Sequence, residues 1–185
     1  MPDPTHRTSK LLSLVLRHDP GAIGIQLDAR GWADLDELVA CADRSGHELS
    51  REMILRVVAE SDKQRFALSA DGRRIRANQG HSINIDLGLV QADPPAVLFH
   101  GTAERFLESI FASGLNSAAR QHVHLSVDVE TAVRVGRRHG TPAVLRVDSR
   151  GLHVAGQAFY RSDNGVWLTS PIAPQFLALL PIPPE

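Results

Sequence analysis

The chain has 185 residues, with 20 Lys or Arg against 21 Asp or Glu, so its net charge is close to zero. This balance argues against a broad cationic surface for duplex nucleic acid, and a phosphate-bearing partner would have to be held by a local cluster. The single cysteine excludes an internal disulfide and a multi-cysteine zinc site. No apolar run approaches the length of a membrane span and the first ten residues do not resemble a signal peptide, so we expect a cytoplasmic protein without a membrane partner.

The first part of the chain predicts three helices. Ser9 is placed to cap the first of them, which should end near Arg17 and His18 because Pro20 disfavours helical geometry at the residue before it. Asp34 and Ser50 are placed to cap the second and third helices. A charged C-terminal turn would by itself account for Arg17 and His18, since the helix dipole favours cations there.

The stretch KQRFALSADGRRIRANQGHS (63–82) predicts a β-hairpin. Asp71-Gly72 between short apolar runs favours a two-residue turn, with Leu68 opposite Ile75 and Phe66 opposite Ala77. In that register Arg65, Arg74 and Arg76 share the other face, and three like charges there favour binding of an anion such as phosphate. A solvated outer face of the hairpin explains the same pattern.

Three helices followed by a hairpin are the element order of a winged-helix module, although a fold alone does not establish function. Pro94-Pro95 and a change of pattern indicate a domain boundary, which gives predicted domains at 1–90 and 91–185. The second domain reads as mainly β with two helices, so the fold class is α+β.

Polar residues follow or interrupt the predicted strands of the second domain. His100-Gly101-Thr102 ends one strand, and RQHVHLS (120–126) alternates so that His122 and His124 share a polar face. Asp128 is placed to cap a helix that reaches Arg137, and residues 142–147 are predicted to form a strand. Ligand sites often form where such polar groups cluster.

Six segments together resemble the RNA 2′-phosphotransferase family, and the likeness covers essentially the whole chain. They are SKLLSLVLRHDP (9–20), DKQRFALSADGRRIRANQGHS (62–82), LFHGT (98–102), RQHVHLS (120–126), GRRHGTPAVL (136–145) and DNGVWLT (163–169). Each segment alone is a weak signal, but their joint occurrence in this order is specific.

The resemblance implies a winged-helix-like N-terminal lobe that binds RNA, an ADP-ribosyltransferase-like C-terminal lobe that binds NAD⁺, and an active site between the lobes. It also implies a two-step reaction with NAD⁺ as co-substrate. An internal RNA 2′-phosphate first displaces nicotinamide, giving ADP-ribosylated RNA. The products of the second step are RNA with a 2′-hydroxyl and ADP-ribose 1″,2″-cyclic phosphate. The implied partners are a tRNA-like RNA carrying the 2′-phosphate and NAD⁺, and we expect a monomer that needs no metal.

The resemblance also implies roles for individual residues. The family's catalytic set falls on Arg17, His18, Arg65 and Arg120, with the arginines holding the phosphate and His18 assisting the departing 2′-oxygen. The implied NAD⁺ contacts are His100, Gly101, Thr102, His124, Ser126, Arg138, His139 and Val166. The implied contacts to flanking RNA phosphates are Arg74, Arg76, Asn78 and His81. Asn164-Gly165-Val166 supplies no glutamate at a position where many protein-modifying relatives have one, which fits a substrate that brings its own charged nucleophile.

Three alternatives remain open on the sequence. One is transfer of ADP-ribose to a terminal phosphate of RNA or DNA, which would stop after the first step. Another is a non-enzymatic winged-helix protein that senses NAD⁺ or ADP-ribose. The third is a metal site made of His122, His124 and a further ligand such as His139.

Overall fold

The computed structural model describes residues 4–61 and 63–181. The chain divides into two compact units, Met1–Gly88 and Leu89–Glu185, two residues before the predicted boundary. Helices and small antiparallel sheets alternate in both units, which confirms the α+β class. Asp62, in one of the segments that carry the resemblance, and residues 182–185 lie outside the described residues. Within the described ranges, no helix is long and apolar enough to cross a membrane.

The described part of unit 1 contains three α-helices, α1 (Pro4–Arg17), α2 (Leu35–Arg44) and α3 (Arg51–Ala59). The caps predicted for the second and third are confirmed, because Asp34 accepts hydrogen bonds from the backbone N of Asp36 and Glu37, and Ser50 accepts one from Met53. The predicted cap at Ser9 is wrong, since α1 already begins at Pro4, where the fixed φ of proline suits the first turn. The predicted end at Arg17 is confirmed.

A three-stranded antiparallel sheet completes unit 1, with β1 (Ala33–Asp34), β2 (Phe66–Leu68) and β3 (Arg74–Ala77) in the order β1-β3-β2. The predicted register is confirmed, with Phe66 opposite Ala77 and Leu68 opposite Ile75. The predicted two-residue turn is wrong. Ser69 bonds to Arg74 instead, its Oγ accepting from the backbone N of Arg74 at 2.9 Å, so the loop between them is longer.

The core of unit 1 unites the helices with the inner face of this sheet. Its fully buried members include Leu12 and Leu16 of α1, Ile54 of α3 and Ile75 of β3. Because α1 is anchored through these apolar side chains, its C-terminal end is held at a fixed place beside the hairpin.

Unit 2 contains two three-stranded antiparallel sheets. Their orders are β4-β6-β9 and β5-β8-β7, with strands β4 (Leu98–Ala103), β5 (Val123–Leu125), β6 (Pro142–Val147), β7 (Phe159–Arg161), β8 (Trp167–Thr169) and β9 (Leu177–Leu180). Phe99 and Ser126 exchange backbone hydrogen bonds of 2.9 and 2.8 Å, which join β4 to the residue after β5. The two sheets therefore meet next to His100 and His124.

The helices of unit 2 are α4 (Leu107–Ser113), α5 (Val129–Gly136) and α6 (Ser149–Val154), so the prediction of two helices is wrong. Asp128 caps α5 as predicted, accepting from the backbone N of Thr131 at 2.7 Å. In α4 Ile110 is buried, whereas Phe111 is 38% exposed.

Gly101 allows α5 to lie directly on β4. A Cβ at this position would meet the carbonyl oxygen of Ala132 at 1.8 Å, far inside contact distance. Gly136, at the end of α5, similarly approaches the carbonyl oxygen of Thr102. This close packing brings the short 3₁₀ turn Arg137–His139, which follows α5, to the side of β4.

Candidate active site

Three of the four predicted catalytic residues come together in unit 1, where α1 ends beside the hairpin. Arg17 donates from Nη2 to the carbonyl oxygen of Arg65 at 3.2 Å, and its guanidinium lies 5.6 Å from the centre of the Phe66 ring. Nδ1 of His18 shares a 2.9 Å hydrogen bond with Oγ of Ser82. The backbone N of Ser82 also donates to the carbonyl oxygen of Arg17, so the segment after β3 is tied to the end of the helix.

His18 and Arg65 also line one surface depression of about 320 Å³. The remainder of its lining comes from α1, including Lys10 and Ser13. Arg65 is half-buried and His18 is exposed, so a guanidinium and an imidazole face a space that a phosphate can enter.

Arg74 and Arg76 are already engaged in unit 1. Their guanidinium carbons lie 5.5 and 4.7 Å from the centre of the Trp32 ring. Arg74 also pairs with Asp28 at 3.4 Å, and Nη1 of Arg76 donates to the carbonyl oxygen of Leu87. A carboxylate and an aromatic ring therefore already accompany Arg74, and its contact with an RNA phosphate stays a prediction.

Asn78 and His81, predicted to contact RNA phosphates, are 5% and 2% exposed. Nδ2 of Asn78 donates to the carbonyl oxygen of Gln64 at 2.6 Å, which fixes the start of the hairpin. Side chains buried in this way do not reach a phosphate at the surface. The structure therefore corrects the two predictions, since it places both residues behind the surface that Arg17 and His18 present.

His81 is held as a neutral imidazole. Burial, with smaller contributions from Arg17, His18 and Arg76, lowers its pKa to about 4, and the Leu16 backbone acts in the opposite direction. Gly80, with φ of +89°, turns the chain back so that His81 enters the interior next to Arg17.

A second cluster forms in unit 2 around His100 and His124. Nδ1 of His100 bonds to the carbonyl oxygen of His124 at 3.0 Å across the junction of the two sheets. Burial, followed by Arg120, lowers the pKa of His124 to about 3, and burial likewise lowers the pKa of His100. Nε2 of His124 is buried and has no hydrogen-bond partner within the described ranges. The cluster thus offers a neutral imidazole with an unused polar atom.

Cationic residues border this histidine pair. Arg120 and His139 both disfavour a charge on His100. The pKa of the Arg120 guanidinium is itself lowered, first by partial burial and then by Arg138. The two arginines repel each other, and an anion between them would relieve that repulsion. The turn that follows α5 therefore supplies predicted cofactor residues to the same cluster as Arg120.

The other predicted cofactor residues lie on the adjoining strands. Gly101 and Thr102 are buried in β4, and the packing of α5 against β4 by itself explains the glycine. Ser126 follows β5 and Val166 precedes β8, whose register pairs Leu125 with Trp167.

The third histidine of this region, His122, contacts Tyr160 edge-on, with ring centres 6.0 Å apart. Burial lowers the pKa of His122. Across residues 4–61 and 63–181, no group of three or more His, Cys, Asp or Glu side chains is arranged to hold a metal ion.

Sequence reasoning missed Ser82, Trp32 and the exposed face of α1. Ser82 stood at the end of the hairpin segment, and no local pattern ties a serine to a histidine 64 residues earlier. Trp32 lies shortly before Asp34, the capping residue of α2, and is not part of a periodic apolar pattern. Lys10 and Ser13 do share a helical face with Arg17 and His18, a signal that their spacing could have supplied.

A family model described as "RNA 2'-phosphotransferase, Tpt1 / KptA family" matches residues 3–171. The chain is 55% identical over 177 residues to a probable RNA 2′-phosphotransferase of Hahella chejuensis, covering 96% of this chain and 95% of that protein. It is 56% identical over 168 residues to one of Acaryochloris marina, covering 91% and 93%. A third, from Pseudomonas aeruginosa, is 54% identical over 171 residues, covering 92% and 94%.

Proposed function

The chain belongs to the RNA 2′-phosphotransferase family, and we propose that it removes an internal 2′-phosphate from RNA by transferring it to NAD⁺. The observation that carries this proposal is the grouping of Arg17, His18 and Arg65 around the end of α1. Two guanidinium groups beside an exposed histidine match a phosphate that is first positioned and then transferred.

The first step forms a bond between an oxygen of the RNA 2′-phosphate and the nicotinamide-bearing ribose carbon of NAD⁺. The bond from that carbon to the ring nitrogen breaks, and its electron pair leaves with nicotinamide as a neutral ring. No proton is needed, so the main demand on the protein is to position an anionic nucleophile. We assign this to Arg17, Arg65 and Arg120.

In the second step, the neighbouring ribose hydroxyl attacks phosphorus and loses its proton to solvent, and the bond from phosphorus to the RNA 2′-oxygen breaks. The products are RNA with a 2′-hydroxyl and ADP-ribose 1″,2″-cyclic phosphate. Cationic side chains stabilise the charge on the equatorial oxygens. We assign to His18 the proton that the departing 2′-oxygen receives, because it is exposed at the end of α1, where a positive charge is favoured.

The polar and cationic side chains of unit 2 are suited to the polar groups and the diphosphate of NAD⁺. Nε2 of His124 is a buried polar atom without a partner among the described residues, and Arg120 and Arg138 are cations close enough for Arg138 to lower the pKa of Arg120. We propose that His124 and His100 contact uncharged polar groups of the dinucleotide. We assign Arg138 and His139 to its diphosphate, with Thr102, Ser126 and Val166 as neighbouring contacts.

We extend this assignment to the lobes. Three helices followed by the hairpin support a winged-helix-like RNA-binding unit 1, and two small sheets joined at Phe99 and Ser126 support an ADP-ribosyltransferase-like unit 2. Arg76 remains our candidate for contact with a flanking RNA phosphate. We assign Asn78 and His81 a positioning role behind Arg17. The substrate class is an RNA with one internal 2′-phosphate, such as a tRNA splice junction.

The test is incubation of the full chain with NAD⁺ and a short RNA that carries one internal 2′-phosphate, following nicotinamide and the RNA together. We expect nicotinamide release and an RNA that ends with a 2′-hydroxyl. Nicotinamide release with ADP-ribose left on the RNA would instead identify a transferase that stops after the first step. With folded protein and an active control enzyme, no change in either would contradict the proposal and favour the NAD⁺-sensing alternative.

A further inference from the structure

The exposed face of α1 carries a row of polar and cationic side chains that extends away from the proposed catalytic residues. His6, Lys10 and Ser13 follow one another on α1 at spacings of four and three residues, and all of them line the depression that also contains His18 and Arg65. The row therefore continues the surface on which the 2′-phosphate is proposed to lie.

This face is electropositive because nothing on the helix offsets it. The sequence of α1 contains no Asp or Glu, and the lining of the depression contains none either. Lys10 is exposed, and within the described residues it forms no ion pair, in contrast to Arg51, Arg56 and Arg74 of the same unit.

The distance from the row to His18 is long enough for more than one nucleotide. From Lys10 to His18 the helix rises about 12 Å, at ~1.5 Å per residue. Successive phosphates of one stacked strand are about 3.4 Å apart along the axis of a duplex. A strand that delivers its 2′-phosphate to His18 and Arg65 thus passes other phosphates within reach of the row.

The chemistry of the row matches a sugar–phosphate backbone. Ser9 and Ser13 are half-buried hydroxyls that can donate to phosphate oxygens, and Lys10 supplies a charge. Leu14, which is 42% exposed in the same depression, offers an apolar surface for a ribose or base. These contacts would position RNA without reading its sequence.

We propose that the α1 row, defined as His6, Ser9, Lys10 and Ser13, binds the RNA backbone that flanks the 2′-phosphorylated nucleotide. The proposal rests on the proposed function, since it takes RNA as the ligand. It predicts that the protein gains affinity when its substrate is longer than the reacting dinucleotide.

The experiment compares Lys10→Ala with Arg7→Ala. Both changes remove one positive charge from an exposed position of α1 and introduce a good helix former, but Arg7 does not line the depression. The ligands are a 2′-phosphorylated dinucleotide and two RNAs that extend it by two nucleotides, one on the 5′ side and one on the 3′ side. Affinity is measured by fluorescence anisotropy without NAD⁺ and over a range of salt concentrations.

We expect Lys10→Ala to weaken binding of at least one extended RNA by about three- to tenfold. Its salt slope for that RNA should fall by about 0.7, the value for one single-strand phosphate contact. Binding of the dinucleotide should be unchanged, and Arg7→Ala should resemble the parent on all three RNAs. Lys10→Gln, which keeps the stem of the side chain, should repeat the loss.

The proposal is overturned if Lys10→Ala and Arg7→Ala weaken the extended RNAs equally, or if the dinucleotide loses as much affinity as the extended RNAs. Failure of the proposed function looks different. In that case the parent would convert neither NAD⁺ nor any of the RNAs, while the binding comparison would still decide whether the α1 row holds RNA phosphates.

Discussion

His18 and His124 are both candidate site residues, yet the protein surrounds them in opposite ways. His18 is exposed at the C-terminal end of α1 and shares a hydrogen bond with Ser82. His124 lies at a junction of two sheets, where burial lowers its pKa to about 3. The comparison shows one residue type in two environments, with His18 exposed at a helix end and His124 buried as a neutral polar group, and these environments suit the different roles that we propose for them.

The largest expected effect comes from removing His18, the proton donor that we propose. We predict that His18→Ala slows the second step by on the order of 10²–10⁴-fold, so that ADP-ribosylated RNA accumulates. Gel analysis of the RNA beside nicotinamide release separates the two steps. The matched control is His47→Ala, an exposed histidine of the same unit. Turnover of both steps at the parental rate in His18→Ala would contradict the role.

A smaller effect should follow from changing the geometry of a cation while its charge is kept. Arg65→Lys loses the planar fork that binds two phosphate oxygens at once, so kcat/KM for the RNA should fall roughly tenfold or more. Arg56→Lys, at an exposed position paired with Glu52, is the control. Full activity in Arg65→Lys would show that only charge is needed at this position.

In unit 2 the comparison predicts an effect on NAD⁺ rather than on RNA. Loss of the buried Nε2 in His124→Ala should cost about 1–2 kcal/mol of cofactor binding, which raises the KM for NAD⁺ roughly five- to thirtyfold. The KM for RNA should change little. His153→Ala serves as the control because that residue pairs with Asp93 in the same unit. A rise in the KM for RNA alone would assign His124 to the other substrate.

The last predicted effect is on stability and not on activity. The pKa of His81 is lowered from 6.5 to about 4 by burial and then by Arg17, His18 and Arg76. Between pH 6.5 and 4, His81 is therefore protonated in the unfolded chain but neutral in the folded one. Stability from this group is therefore complete above pH 6.5 and is lost as the pH falls towards 4. His81→Gln should reduce this loss, by on the order of 2 kcal/mol.

The measurement is denaturant unfolding at several pH values, in a Trp167→Phe background so that Trp32 reports on unit 1 alone. Exposed His47→Gln is the control, and the common contribution of carboxylates cancels in the difference between variants. An unfolding free energy that declines between pH 6.5 and 4 equally in His81→Gln and its parent would show that His81 does not govern it.

The part of the fold that the sequence predicted was the part set by local rules. The register of the hairpin follows from alternation around Asp71-Gly72, and the caps at Asp34, Ser50 and Asp128 follow from side chains that satisfy helix-end N–H groups. Short elements without a period escaped prediction. The helix Ser149–Val154 contains a glycine, and the strand Leu177–Leu180 is a continuous apolar run.

In the candidate site, too, only the features set by local sequence could be predicted. The position of Arg17 and His18 at a helix end was predictable from Pro20. Burial of His81 and the pairing of Arg74 with Asp28 and Trp32 were not, because these contacts join residues far apart in the sequence. Alternation sets the hairpin arginines on one face, but tertiary contacts of this kind decide which groups they meet there.

The most direct test of the central claim follows the phosphorus atom itself. An RNA labelled with ³²P only at its internal 2′-phosphate is incubated with the protein and NAD⁺, and the labelled products are separated. We predict that the label leaves the RNA and appears in ADP-ribose 1″,2″-cyclic phosphate, and that none leaves without NAD⁺. Label recovered as inorganic phosphate, or retained on the RNA after nicotinamide is released, would contradict transfer of the 2′-phosphate to NAD⁺.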